Sequence, residues 1–347
     1  PHSAGLFSRA IFHSPPAEIW TEDSNKERTA AIIRKTGCKK ATVEESVACL
    51  KKIPADTLWH ADWSPEDMSR NMLSPTWIKA TVNMASFMLN NDVHRAVNYL
   101  GYHAVVDGDI VPEDIHTLIE SGRWNKVPVL ITVSRNESLG VIPGPDIPLQ
   151  LDVLKMCLST LTAKKSDIPS LMEDYNRSLQ ETGIFEPSSY SLLHQMITDK
   201  IWTCEAWNLV EEITKGGGSA QLGGFWHAPK HDPVGTSTNL ACNAGATCHA
   251  AEMLYSLPQG GGRGIPAFMV QERKFMEQYR DNVLAFVHGH QGPWEVYRPD
   301  HPVITLVDET GAKVEENYRK RQCAVLERSV PATFPWFMKR HVPAGLA

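Results

Sequence analysis

No Gly-x-Ser-x-Gly occurs anywhere in the 347 residues. In that pattern the flanking glycines let a strand turn sharply into a helix behind an exposed serine hydroxyl. Its absence excludes a nucleophile elbow of this kind within the chain. There is also no run of about 18 apolar residues, so no membrane span is expected. The first residues, PHSAGLFSRAIFHS, lack the basic stretch followed by an apolar stretch that marks a secretory signal. Excess charge of either sign is small: the net charge is −6 and the pI about 6.2. Lysine and arginine are scattered, apart from short pairs such as Lys39-Lys40. That distribution excludes the basic footprint of a nucleic-acid partner.

What is present is ordinary globular material, 42% hydrophobic and 21% charged, enough for a large core. The length allows two domains or one large α/β domain. Residues 9–14, RAIFHS, read as a short strand closed by Pro15-Pro16. Helices are expected over 24–37, with Ser24 as N-cap and Gly37 as the stop, and over 43–52. The segment VVDGDIVPED carries two turn signals, at Asp107-Gly108 and Val111-Pro112, and 114–121 reads as helix. VPVLITV, residues 127–133, is a continuous run rich in β-branched residues, the pattern of a strand buried on both faces. Further helices are expected around 149–160 and 166–181. Residues 188–215 read as one long helix with apolar residues at three-to-four spacing. A strand at about 219–227, a helix over 273–289, a hairpin over 304–314 and a last helix carrying Cys323 complete the pattern. Strands alternating with helices predict a mostly parallel central sheet covered by helices.

Two residues stand out for chemistry. Glu137 ends the apolar strand in VPVLITVSRNES, and His249 lies in ATCHAAEMLYSL beyond a loop rich in Pro, Gly, Asn and Thr. Acid then histidine is the chain order of the later two members of an α/β-hydrolase triad. Paired histidines also occur, His227 with His231 in HAPKH and His288 with His290 in HGH. A zinc site needs three or four ligands, and no cysteine or carboxylate nearby completes either pair, so no metal and no cofactor are expected. Seven cysteines are an odd count, leaving at least one thiol without an intramolecular partner. On spacing alone the cysteines fit reduced buried thiols as well as disulfides.

These landmarks together resemble the C-terminal portion of the type-B carboxylesterase and cholinesterase family. PHSAGLFSRAIFHS resembles the segment after the nucleophile elbow. VVDGDIVPEDIHTLIESGRWNKVPVLITVSRNES resembles the approach to the triad acid, ITDKIWTCEAWNL a long family helix, and ATCHAAEMLYSL the histidine loop. FVHGHQGPWEVYRPDHP resembles a late helix-then-Pro/Trp segment. The resemblance runs from Pro1 to about Pro335 and implies the C-terminal portion of an α/β-hydrolase fold.

It also implies roles. Glu137 takes the place of the triad acid and His249 that of general base and acid in hydrolysis of a small carboxylic ester through a serine ester. Glu252 matches a carboxylate that supports the histidine loop. Trp20 and the Pro15-Pro16 corner stand at a wall of the acyl pocket. Cys38 with Cys49, Cys204 with Cys323, and Cys242 with Cys248 match disulfides, which leaves Cys157 unpaired. Disulfides imply a secreted chain or one in the secretory lumen, and Asn176-Arg177-Ser178 is a glycosylation sequon compatible with that. Asn136-Glu137-Ser138 has the same pattern, but a glycan there would block the acid. Ser3, in HSAG, looks like an elbow serine, yet no strand precedes it. The nucleophile is expected roughly a dozen residues upstream of Pro1, with the oxyanion-hole donors. The expected partner is therefore an N-terminal polypeptide of the same fold that supplies strands, serine and oxyanion hole.

Four positions depart from the family pattern: Ser138 and Ala250 replace glycines, and Pro15 and Pro16 replace small residues. Such changes crowd the backbone near the site. They are also what a non-catalytic interaction or adhesion domain of the family would carry, and that reading stands as the alternative.

Overall fold

The computed structural model describes residues 3–15, 22–62, 106–140, 154–155, 166, 168–181, 189–230, 242, 245–257 and 272–329. Trp20, Cys157, His231 and most of the helix expected over 149–160 lie outside these residues. The chain forms two compact units, one of Pro1–Ala17 with His116–Ala347 and one of Glu18–Ile115.

The described residues of the smaller unit include three helices, α1 (Glu22–Lys35), α2 (Val43–Leu50) and α3 (Ala55–Asp62), with α1 packed on α3. Gly37 follows α1 at φ +69°, a left-handed position that glycine takes without strain. Thr42 caps α2 through a capping box: its hydroxyl accepts from the Glu45 N–H while the Glu45 carboxylate accepts from the Thr42 N–H. Cys38 and Cys49 are joined in a disulfide, so the turn between α1 and α2 is fixed at both ends.

The larger unit is built on a five-stranded sheet in the order β1 (Ala10–His13), β2 (Val129–Ser134), β3 (Ala220–Phe225), β4 (Val303–Asp308) and β5 (Gly311–Glu316). The first four run parallel and β5 returns antiparallel from a tight hairpin. All six residues of β2 are buried, as its run of apolar, β-branched residues requires. β5 is mostly exposed and carries Lys313, Glu315 and Glu316, which discourage pairing along that edge.

Between the strands lie α4 (Ile115–Glu120), α5 (Ile168–Glu181), α6 (Ser189–Thr198), α7 (Cys204–Lys215), the short α8 (Met253–Ser256) and α9 (Arg273–His288), with α10 (Lys320–Ser329) last. One core cluster joins Leu130, Phe225, Tyr255, Tyr279, Phe286 and Trp294. Phe225 sits at its centre, with ring centroids of Tyr255, Phe275 and Tyr279 between 5.0 and 5.9 Å away.

The segment expected as one helix over 188–215 is helical throughout its described residues but not uniform. Between α6 and α7 it opens into a π turn, Asp199–Thr203, where the Cys204 N–H reaches the Asp199 carbonyl five residues back. The bulge seats the Asp199 carboxylate against the Tyr175 hydroxyl, the Gln195 amide and the Arg319 guanidinium. Cys204, just past the bulge, is bonded to Cys323 of α10, closing a loop of 119 residues. In the chain-entropy account such a loop contributes about 4–5 kcal/mol.

Gly223 and Gly224 in β3 let the Trp294 and Trp226 rings approach the strand backbone closely. A Cβ on Gly223 would stand 2.5 Å from the Trp294 indole nitrogen. Gly223→Ala in the intact protein is therefore expected to cost about 1–3 kcal/mol by overpacking. The measurement is a urea unfolding curve, in which the midpoint falls while the slope stays unchanged.

Candidate active site

In a parallel sheet the strand ends converge, and side chains placed just past them face one crevice. Here β1, β2 and β3 end at His13, Ser134 and Phe225, and three loops meet beyond them. Glu137 opens a 3-10 turn, Glu137–Gly140, three residues after β2. The turn is tied to the histidine loop through its backbone, because the Asn136 N–H donates to the Thr247 carbonyl at 2.9 Å. The Cys242–Cys248 disulfide holds the same loop immediately before His249. Ala250 then turns the chain at φ +64°, a left-handed conformation costly for a residue with a Cβ.

The two chemically distinctive residues meet. The Nδ1 of His249 lies 2.6 Å from Oε2 of Glu137. Glu137 is fully buried, whereas the His249 side chain is 36% exposed. Nε2 of His249 makes no hydrogen bond among the described residues. On its other face the imidazole meets the Trp202 indole of the π turn, ring centroids 5.4 Å apart.

Oε1 of Glu137 accepts from the Ser14 hydroxyl at 2.6 Å and from the Ser134 N–H at 2.5 Å. Ser14 directly follows β1 at φ +49° and is buried. Glu252 lies behind this cluster, with Ser134 donating to its Oε2 at 2.9 Å and the Ser14 oxygen 3.3 Å from its Oε1. His13 stands 3.7 Å from the same carboxylate and bonds the Thr132 hydroxyl at 2.7 Å. Ser14, Ser134 and Trp202 were not singled out from the sequence. A serine closing a strand has no sequence mark, and its partners are more than a hundred residues away.

Burial raises the Glu252 carboxyl, and the nearby charge of Glu137 raises it further, to about 7. Burial lowers the His249 pKa, but the hydrogen bond and charge of Glu137, with the charge of Glu252, outweigh it. The net shift is upward. Ser14 has one hydroxyl proton, and the 2.6 Å contact gives it to Glu137. A protonated Glu252 then donates to the Ser14 oxygen.

The remaining sequence candidates sit elsewhere. Ser3 is exposed and accepts from the Asn125 amide at 2.9 Å, ahead of β1 and β2 and so at the opposite end of the sheet from Glu137. Asn176 is exposed on α5, while Ser178 of its sequon is buried and donates to the Tyr175 carbonyl. His227 is held between Glu272 and Glu309, each at 2.7 Å. His288 and His290 lie with ring centroids 6.0 Å apart. Among the described residues no group of three His, Cys, Asp or Glu is placed to hold a metal ion. No helix among them is long and apolar enough to cross a membrane.

A model of the carboxylesterase family matches residues 1–326. The chain belongs to that family. Human neuroligin-2 is 27% identical over 140 residues, 40% of this chain and 13% of that protein. Mouse cholinesterase is 26% identical over 141 residues, 40% of this chain and 19% of that protein. The matched segments thus span less than a fifth of these relatives. Among solved structures, a thermophilic PNB esterase superposes with a TM-score of 0.58, covering 94% of this chain and 58% of that one. At 15% identity this likeness concerns the fold, which is that of an α/β-hydrolase.

The raised Glu252 pKa has a consequence for stability. An acid whose folded pKa exceeds its unfolded value stabilises the fold while it stays protonated. That contribution is full below about 4.5 and is lost as pH rises through about 7. His13 and His194, whose pKa values burial lowers, contribute with the opposite sign. His194 is common to wild type and Glu252→Gln and cancels in a difference, whereas His13, 3.7 Å from Glu252, and His249, whose pKa Glu252 raises, stay coupled to it and widen the expected range. The variant is expected to gain on the wild type by on the order of 1–3 kcal/mol between pH 5 and pH 8. Unfolding free energies of the two proteins across that range check it.

Proposed function

We propose that this chain is the acid-and-histidine portion of a serine carboxylic-ester hydrolase. The nucleophilic serine and oxyanion hole come from a polypeptide segment outside these residues, upstream or separate. The observation that carries the reading is the buried Glu137 carboxylate 2.6 Å from Nδ1 of a half-open His249. A carboxylate on Nδ1 fixes the tautomer and leaves Nε2 with a lone pair for a hydroxyl proton. Family membership supports the same chemistry.

In this scheme Nε2 removes the serine proton as the oxygen attacks the ester carbonyl. The imidazolium then protonates the departing alcohol. Water, deprotonated by the same nitrogen, then attacks the acyl-serine, and the imidazolium returns its proton to the serine oxygen as the acid leaves. Glu137 keeps its charge throughout and stabilises the imidazolium. Trp202 shields one face of the ring from water, which strengthens that electrostatic effect. The three disulfides accord with a secreted or lumenal chain, and exposed Asn176 with a glycan. The working form on this reading is a complex or longer chain containing the N-terminal strands, with a small ester as substrate.

A second reading, a non-catalytic interaction domain of the same fold, is favoured by two observations. Neuroligins are among the relatives matched, and Ser138 and Ala250 replace glycines of the family pattern.

Intact-mass spectrometry of the native sample after fluorophosphonate treatment separates the two. The hydrolase reading expects one adduct, on a serine outside this chain. It also expects His249→Ala to lower kcat for 4-nitrophenyl acetate roughly a thousandfold or more with the fold retained. Absence of any adduct favours the interaction domain, and an adduct on Ser3 contradicts the placement of the nucleophile.

A further inference from the structure

A second serine–histidine contact lies directly behind the acid. Ser138, next to Glu137, is fully buried. Its Oγ stands 2.8 Å from Nδ1 of His194 and 2.8 Å from the His194 carbonyl. The Thr198 hydroxyl donates to the same oxygen at 3.2 Å, and the Ser138 N–H donates to the Thr198 oxygen at 3.2 Å. Thr198 and His194 are both buried on α6.

Counting protons sets the tautomer. A carbonyl only accepts, so the single Ser138 proton goes to the His194 carbonyl. Nδ1 of His194 must then carry a hydrogen and donate to Oγ, whose second lone pair takes the Thr198 proton. The opposite tautomer would bury an N–H at Nε2, an atom without a partner among the described residues. Burial lowers the His194 pKa to about 3, so the ring stays neutral wherever the protein is folded near neutrality. The Tyr190 ring meets it edge-on at 4.3 Å and fixes its plane.

We propose that Ser138, His194 and Thr198 form a latch that positions the Glu137 carboxylate and, through it, the His249 imidazole. The inference rests on the hydrolase reading for its purpose but on the hydrogen bonds above for its existence. Two of the contacts on the acid turn tie it to the elements that carry and flank His249. One is the Asn136 N–H on the Thr247 carbonyl, which joins it to the histidine loop. The latch is the other and joins it to α6. Thr198 is the last residue of α6, and the π turn that follows carries Trp202 against His249. One continuous helical strut therefore touches both the acid turn and the histidine ring and sets them in register. The serine that replaces a family glycine is thus accommodated: its hydroxyl is fully used, by groups on a single helix. These are positioning residues, since none of them reaches the face of His249 that is open to substrate.

The test reads His249 in the native protein by NMR, through the low-field Nδ1–H resonance and the titration of the ring. In the wild type a low-field resonance is expected, with a titration midpoint above that of free histidine. His194→Phe keeps the contact with Tyr190 and removes Nδ1. Thr198→Val removes the hydroxyl at almost constant volume. Both are expected to broaden or shift the resonance upfield and to lower the midpoint, whereas Thr198→Ser retains both signals. In the assembled esterase the first two variants are expected to lower kcat by about ten- to a hundredfold with KM little changed. If His194→Phe and Thr198→Val lose thermal stability while the His249 resonance and midpoint stay as in the wild type, the latch is structural only and the proposal fails. A wild type with no low-field resonance would instead overturn the Glu137–His249 pair, and with it the hydrolase reading.

Discussion

Two carboxylates, Glu137 and Glu252, are fully buried, a single serine hydroxyl apart. Burial and the like charge so close by disfavour ionising both, so one of them keeps a proton near neutral pH. The partners decide which one. Glu137 has every close oxygen contact filled by a donor: Ser14, the Ser134 N–H and His249. Glu252 accepts from Ser134 and lies 3.3 Å from the Ser14 oxygen, and burial together with the charge of Glu137 raises its pKa. The difference leaves the charge on the carboxylate that faces the imidazole.

The rest of the larger unit is arranged around that constraint. A charge can be buried only where fixed donors replace water. Those donors come from the ends of β1 and β2, and their positions follow from the parallel register of the two strands. The histidine arrives on a loop closed by a six-residue-separation disulfide and a backbone bond to the acid turn. The π turn has the same logic. It departs from regular helix geometry, and in return it places Asp199 among its partners and Trp202 against the ring.

Much of this was legible from residue order, and the part that was not has a physical reason. Glu137 and His249 stood out because a buried strand ends at one and a Gly/Pro-rich loop at the other. The strand expected over 127–133 is found at Val129–Ser134, and the hairpin over 304–314 at Val303–Asp308 and Gly311–Glu316. The three disulfide pairings came from family resemblance, not from spacing, and the structure forms all three. The π turn was invisible because one extra residue barely disturbs an apolar period of three to four. Ser14 and Ser134 were invisible because their partners lie 123 and 118 residues away. Ser138 looked like a departure from the family until the hydroxyls and imidazole of α6 were placed beside it.

The central claim concerns which of three groups carry a proton, and neutron diffraction from deuterated crystals grown near pH 6 shows it directly. The account predicts a deuteron on Glu252, a deuteron on Nδ1 of His249, and none on Glu137. A deuteron on Glu137 with Glu252 bare would contradict it, because the imidazole would then face a neutral acid.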